Sequence, residues 1–420
     1  MNPRIFILAD WYLPGYKAGG LVTALANLAD SIGDVFDLYV FTRDRDLTDR
    51  SPYPEIRQGE WQPVRRARVL YTSDLSFAHL RRRILEVSPS IIYLNSFFSP
   101  LVIKTLCLRK LGLLPNCAIV LAPRGELSPG ALQIKRAKKR LYKQAALRAG
   151  LCNRVVWHAT SGIEAAHIGS ELRGAGCKPP CIRVASDLPK RDWARAARAR
   201  PRNKQTSRVR FLFISRVAPI KNLLFALDEL SHLTGHVEFN IFGPIDDAGY
   251  WAQCEKRIQT LPHNITVRYG GTIARALVPS VISDFDFFLL PTEGENFGYA
   301  ILEAMASGCP VIVSDRTPWR NLSGWNAGWA LALDDRSAWR RVLQQCVEMG
   351  PRPYAAMSSS AREFVEAWAT STNQRDEMIR VFLAALEGVI SPGSQSVAAD
   401  ASDLRKLADK PNANGSKTLW

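Results

Sequence analysis

Two glutamates, Glu295 and Glu303, and two cations, Arg216 and Lys221, are the residues of this chain whose types and spacing best suit chemistry on a phosphorylated ligand. The glutamates lie in the segment Pro291-Thr-Glu-Gly-Glu-Asn-Phe-Gly-Tyr-Ala-Ile-Leu-Glu303, which follows the apolar run Phe287-Phe288-Leu289-Leu290. Gly294 and Gly298 mark a loop, Ala300 to Ala306 reads as helix, and Gly308-Cys309-Pro310 stops that helix before the next apolar run. A helix that begins at Gly298 aims backbone N–H groups and the positive end of its dipole at the carboxyl end of the preceding strand, where an anionic phosphate binds well. Glu295 stands in the loop at that mouth, and Glu303 about one turn into the helix. Two carboxylates beside one phosphate site are suited to accept hydrogen bonds from sugar hydroxyls.

A second strand, Phe211 to Ile214, ends in the loop Ser215-Arg-Val-Ala-Pro-Ile-Lys-Asn222, with Arg216 and Lys221 on either side of it. Both cations are expected to face the crevice of the Glu295 loop, where a diphosphate needs its charge neutralised. Alone, such a pair reads as ordinary surface charge; beside the carboxylate segment it reads as part of a diphosphate site.

The elements that must position these residues follow from the alternation of apolar runs with helical stretches. In the first half, strands are predicted at Ile5–Ala9, Phe36–Thr42, Val69–Tyr71, Ile91–Asn95, Ala118–Ala122, Val155–His158 and Ile182–Ala185. A second series covers Val209–Ile214, Val237–Phe242, Ile265–Val267, Phe285–Leu290 and Val311–Ser314, with helices such as Asn222–Leu233 and Ser337–Met349 between them. This pattern predicts an α/β fold of two doubly wound, Rossmann-like domains facing across a cleft, with ligands in the cleft. The expected boundaries are a first domain at 1–187, a linker rich in Arg, Ala and Pro at 188–207, a second domain at 208–372, a helix at 373–390 and a disordered tail at 391–420.

Composition sets limits on function. A chain of 420 residues, 47% hydrophobic and 22% charged, is large enough for two cores. Ile5 to Ala9 is too short for a membrane span and is cut off by Asp10, so a buried first strand in a cytoplasmic protein is expected. The eight cysteines show no disulfide framework, and Cys177-Lys-Pro-Pro-Cys181 lacks the second pair or histidine pair that a metal site needs. The net charge of +16 fits a solvated basic surface, a polyphosphate ligand or an anionic membrane. Nucleic acid is disfavoured, because no aromatic residues interleave with the cations in a recognisable module. The densest basic run, Lys135-Arg-Ala-Lys-Lys-Arg140 with Lys143 and Arg148, falls in a helix expected over 133–148. Ile134, Leu141 and Ala145 can share one face of it, so a membrane-surface helix and a merely solvated face both fit.

The E-x7-E spacing of Glu295 and Glu303, the basic loop with Arg216 and Lys221, and Gly308-Cys309-Pro310-Val311 together resemble the retaining glycosyltransferases of family 4. Pro291 to Ala306, followed by Ser314-Asp-Arg-Thr-Pro-Trp319, resembles a subgroup of bacterial surface polysaccharide assembly. The resemblance implies the two-domain GT-B fold and a donor bound mainly by the second domain. It implies that Glu303 accepts from the ribose hydroxyls, that Glu295 contacts the transferred sugar, and that the backbone of Asn296, Phe297, Gly298 and Tyr299 approaches the sugar and diphosphate. Arg216 and Lys221 then stabilise charge on the leaving nucleoside diphosphate, so no metal ion and no other cofactor is required beyond the nucleotide-sugar co-substrate. Asp44-Arg45-Asp46 fits a metal motif formally, but its position after a strand favours a loop role.

Gly19-Gly20 resembles the family's glycine-rich loop, which places Gly20 among the donor-binding candidates, although a simple turn explains a lone Gly-Gly equally well. Many relatives carry a first-domain histidine where this chain reads Ala122-Pro-Arg-Gly-Glu-Leu127, which makes Arg124 the acceptor-side candidate unless the counterpart lies elsewhere. His158 reads as a satisfied strand-end histidine. The resemblance implies transfer with retention by attack from the leaving-group face, the departing phosphate helping to deprotonate a saccharide or lipid-linked acceptor, with no covalent glutamate intermediate. Another GT-B activity, an epimerase or a phosphorylase, and a non-catalytic sugar-nucleotide-binding protein are the alternatives.

Overall fold

The computed structural model describes residues 2–133, 135–173, 180–190, 204–371 and 373–388. Among these, 2–190 and 373–388 form one compact unit and 204–371 the other. Cys177, most of the expected linker and the expected tail lie outside the described residues.

The first unit runs β1 (Arg4–Leu8), α1 (Gly20–Ile32), β2 (Asp37–Arg43), β3 (Trp61–Val64), β4 (Ala67–Thr72), α2 (Phe77–Val87) and β5 (Ile91–Asn95). It continues through α3 (Pro100–Lys110), β6 (Ala118–Ala122), α4 (Pro129–Gln133), α5 (Arg136–Arg148), β7 (Val155–Ala159), α6 (Gly162–Arg173) and β8 (Cys181–Val184). Its sheet has the order β3-β4-β2-β1-β5-β6-β7-β8, parallel throughout except for β3, which is antiparallel to β4. Strands β1, β5 and β6 are largely apolar and almost wholly buried, as expected where helices cover both faces of a parallel sheet. Strand β3 is an addition to the expected set. Pro63 argues against a central strand, but an edge strand tolerates it, and Trp61 anchors the edge against Phe6 and Tyr39.

The second unit runs β9 (Arg208–Ile214), a 3₁₀ turn at Pro219–Lys221, α7 (Leu223–Leu230), β10 (His236–Phe242), α8 (Ala248–Ile258) and β11 (Ile265–Tyr269). A second 3₁₀ turn at Arg275–Leu277 leads into α9 (Val278–Ile282), β12 (Phe287–Leu290), α10 (Tyr299–Ala306), β13 (Val311–Ser314), β14 (Gly328–Leu331), α11 (Arg336–Glu348) and α12 (Pro351–Ser371). All six strands are parallel in the order β11-β10-β9-β12-β13-β14. The direction of winding reverses between β9 and β12, so the loops after these two strands flank the topological switch point, where ligands bind in doubly wound sheets.

The last described helix, α13 (Gln374–Glu387), belongs to the first unit. Its Phe382 lies edge-on to Phe36 and Tyr93, and Met378, Ile379 and Leu386 complete the same core. Among the described residues no helix is long and apolar enough to cross a membrane.

The basic segment is not one helix over 133–148. Lys135 takes the left-handed conformation at φ 53° between α4 and α5, and Ile134 lies outside the described residues. Within α5, Lys139 donates to the Ala131 carbonyl and sits over the Phe98 ring, while Lys143 pairs with Glu171. Lys135, Arg136, Lys138 and Arg140 are exposed, as is Leu141 at 71%.

Candidate active site

Strand β9 delivers its loop, 215–222, to the switch point, and strand β12 delivers 291–298 beside it. Two hydrogen bonds lock the loops together: Glu293 N–H donates to the Ile220 carbonyl at 2.8 Å, and the Thr292 side-chain hydroxyl donates to the same carbonyl at 3.0 Å. The loop after β13 holds the other side, with Glu295 N–H donating to the Arg316 carbonyl at 3.1 Å and the Ser314 hydroxyl to the Thr292 carbonyl at 2.5 Å.

Within this frame Lys221 Nζ lies 2.5 Å from Glu295 Oε2, with the two side chains only 12% and 19% exposed. Arg216 pairs instead with Asp246, on the loop after β10, at 2.5 Å. Gly243 permits that loop to approach: a Cβ there would stand 2.0 Å from the Ser215 carbonyl oxygen. Glu303 meets Arg275 Nη2 at 2.7 Å, and Glu293 pairs with Arg316.

Gly298 caps α10 at φ 80°, a conformation that favours glycine. A Cβ at this position would also crowd Glu295 Cγ at 3.0 Å and Ile301 Cδ1 at 2.8 Å, so the glycine sets both the helix start and the room for the carboxylate. Phe297 and Tyr299 are buried, their rings 4.6 Å apart. Phe297 also packs against Trp319 and Trp368, and its carbonyl accepts from Trp319 Nε1 at 2.5 Å. The side chain of Phe297 is therefore committed to the core, and Asn296, half-buried, lies between the paired glutamate and that anchor.

The structure thus brings Lys221 and Glu295 together, and gives Arg216, in the loop after β9, and Glu303, in α10, the partners Asp246 and Arg275, which residue type and spacing do not single out. Both partners follow the carboxyl ends of strands in a doubly wound sheet, which is the signal that could have found them.

In the first unit, Gly19 is the N-cap of α1 at φ 73°, and Gly20 is that helix's first residue, exposed. Asp46 fixes the loop before them: Oδ2 accepts from Tyr16 N–H at 2.7 Å and Lys17 N–H at 3.1 Å, and Oδ1 from Leu47 N–H at 2.8 Å. Asp44 pairs with Arg45, so both aspartates of the formal metal motif have loop-building partners. Among the described residues no group of three His, Cys, Asp or Glu side chains could hold a metal ion. A cavity of about 310 Å³, lined by Arg43, Asp44, Arg45, Thr72 and Ser73, opens beyond the carboxyl ends of β2 and β4.

Arg124, at φ 57° and with its side chain 10% exposed, pairs with Asp187 at 2.6 Å and donates to Asn95 Oδ1 and the Tyr93 hydroxyl. The Tyr93 hydroxyl reaches His158 Nδ1 at 2.8 Å, and His158 Nε2 is 2.9 Å from the Ala185 carbonyl. Burial, reinforced by the Arg124 charge, holds the His158 imidazole down at about 4. Burial likewise raises the Glu126 carboxyl, which accepts from the Ser96 hydroxyl and Phe98 N–H.

Residues 208–348, the span from β9 to the end of α11, match the family described as Glycosyl transferases group 1. The fold is that of solved GT-B glycosyltransferases. It superposes on the sucrose-phosphate synthase of Thermosynechococcus elongatus with a TM-score of 0.65 at 17% identity, covering 92% of this chain and 100% of that one. HepE of Anabaena, solved with UDP and glucose, gives 0.60 at 16% identity, covering 92% of this chain and 99% of that one. WaaG, a glycosyltransferase involved in lipopolysaccharide biosynthesis, gives 0.61 at 13% identity, covering 90% of this chain and 98% of that one. No curated protein sequence matches the chain.

Proposed function

We propose that the protein is a retaining glycosyltransferase that moves a hexose from a nucleotide-diphosphate sugar to a saccharide or lipid-linked acceptor in bacterial polysaccharide biosynthesis. The observation that carries this reading is the meeting of Lys221 with Glu295 across the switch point of the second sheet, inside the span that matches the glycosyltransferase family. The likeness to HepE, solved with UDP and glucose, supports a nucleotide-sugar donor, and that to WaaG supports a surface-polysaccharide acceptor.

In this reading the diphosphate draws Lys221 and Arg216 away from their carboxylates. Both cations then stabilise the negative charge that develops as the glycosidic bond to phosphate breaks. Glu295, released from Lys221, accepts from hydroxyls of the transferred sugar, and Glu303 accepts from the ribose. The leaving phosphate takes the acceptor proton, so the side chains are not required to form a covalent sugar adduct and no metal is invoked. Gly20, at an exposed helix start of the first unit, is kept in this reading as a donor contact, while Arg124, already engaged with Asn95, Tyr93 and Asp187, serves the acceptor side through the loop it shapes.

The exposed cations Lys135, Arg136, Lys138 and Arg140 around Leu141 suit the anionic inner leaflet of a cell membrane. A cytoplasmic enzyme held there meets a lipid-linked acceptor. Incubation with UDP- and GDP-hexoses and a saccharide acceptor tests the activity: release of the nucleoside diphosphate should depend on acceptor, and NMR of the product should show the donor's anomeric configuration. Acceptor-independent isomerisation of the sugar, or tight donor binding without turnover, would count against it.

A further inference from the structure

We propose that Arg275 is a positioning residue for the donor's ribose, holding the Glu303 carboxylate in the orientation that receives the 2′- and 3′-hydroxyls. The inference rests on the donor site proposed above. Arg275 opens the 3₁₀ turn that follows β11, and Glu303 lies in α10, which follows β12. These strands are separated in the sheet by β10 and β9, yet α9 packs against both the turn and α10, which brings the two side chains together.

The contact is a charge-assisted hydrogen bond from Nη2 to Oε1 at 2.7 Å. A carboxylate offers about four lone-pair sites over its two oxygens, so one guanidinium N–H on Oε1 is compatible with a vicinal diol donating to the same group. The side chains are 43% and 24% exposed, which keeps the pair within reach of a ligand. A free glutamate loses rotamer freedom when it is fixed by a ligand; one already oriented by Arg275 loses less, and the ribose gains the difference. Fold stability depends little on so exposed a pair. Arg275→Ala should therefore fold normally, and its effect should appear in recognition of the sugar ring.

Calorimetry of the wild type, Arg275→Ala and Arg275→Lys with UDP, GDP, ADP and CDP, each against its 2′-deoxy counterpart, tests the proposal. The ribonucleotide that binds the wild type should bind about 10-fold tighter than its deoxy form, the scale of one charge-assisted hydrogen bond. Arg275→Ala should lose most of that preference and Arg275→Lys should keep part of it, both with unchanged melting temperatures. In turnover, donor KM should rise in the alanine variant while kcat changes little. An alanine variant with the same ribose-to-deoxyribose ratio as the wild type overturns the assignment of Arg275 alone. Failure of every nucleotide to bind the wild type overturns the donor site and this inference together.

Discussion

Lys221 Nζ and Glu295 Oε2, 2.5 Å apart, join the loops that follow β9 and β12 at the point where the second sheet reverses its winding. Three further ion pairs cross between loops and helices around this carboxyl edge: Arg216 with Asp246, Arg275 with Glu303, and Arg316 with Glu293. Each cation proposed to meet the diphosphate, and each carboxylate proposed to meet a hydroxyl, thus already has a counter-charge. In the proposed function donor binding is an exchange of partners for Lys221 and Arg216, while Glu303 keeps Arg275; either way the site's charges are not left unpaired before the ligand arrives.

That exchange separates the effects of the two partners. Lys221→Ala should lower kcat by about 100-fold, because stabilisation of charge on the leaving group is lost mainly in the transition state. Glu295→Gln should lower transfer as well, but it removes the carboxylate that competes for Lys221, so nucleoside diphosphate should bind as tightly as to the wild type or more tightly. Steady-state kinetics and calorimetry together check the pair. Weaker diphosphate binding by Glu295→Gln would show that the ion pair does not compete with the ligand.

The proposed neutralisation of diphosphate charge by Arg216 and Lys221 leads to a second expectation, that transfer survives chelation. Activity measured after dialysis against EDTA should equal that of the untreated protein, and added Mg²⁺ or Mn²⁺ should not raise it. Loss of transfer on chelation with recovery on adding either ion would place a metal in the mechanism.

The buried network of the first unit predicts an acid limb in stability. His158 is held at about 4 in the fold, against 6.5 for an unperturbed histidine. The unfolded chain therefore binds the extra proton first as pH falls. The stabilisation is fully present above pH 6.5 and is lost between about 6.5 and 4, to a total of ~3 kcal/mol at 1.36 kcal/mol per unit. Urea unfolding at pH 7 and pH 5 should show the first unit losing stability across that window. His158→Gln should lose less between the two pH values; an equal loss would assign the acid sensitivity to other groups.

Much of the fold is legible in the sequence, and the exceptions have physical reasons. Ile91–Asn95, Ala118–Ala122 and Val311–Ser314 are readable to the residue because buried parallel strands are continuous apolar runs closed by polar or turn residues. Helix α12 is not, since Pro351, Pro353 and the run Ser358–Ser360 argue against a helix locally. It forms because Tyr354, Met357, Ala361, Phe364, Val365 and Trp368 fall on one face and are buried. Ser358 also bonds the Gly308 carbonyl behind the site. The glutamates and the basic loop are visible from residue type and spacing. Their partners Asp246 and Arg275 are not, because which loops become neighbours depends on strand order, and alternation of strands and helices leaves that order open.

The last prediction concerns α5, where the structure sorts the cations that the sequence presents as one run. Lys139 and Lys143 are turned to the protein by Phe98, the Ala131 carbonyl and Glu171. Lys135, Arg136, Lys138 and Arg140 remain exposed beside Leu141. Each such cation near an anionic surface contributes roughly 1 kcal/mol, and burying a leucine side chain adds about 1.5–3 kcal/mol. The protein should sediment with vesicles containing anionic lipid at low salt and be released as salt rises. Changing the four exposed cations to Gln should abolish sedimentation, Leu141→Ser should weaken it, and Lys143→Gln should leave it unaltered. If the four-Gln variant sediments like the wild type, or if neither protein binds, the basic face is only solvated and the acceptor need not be carried on a membrane.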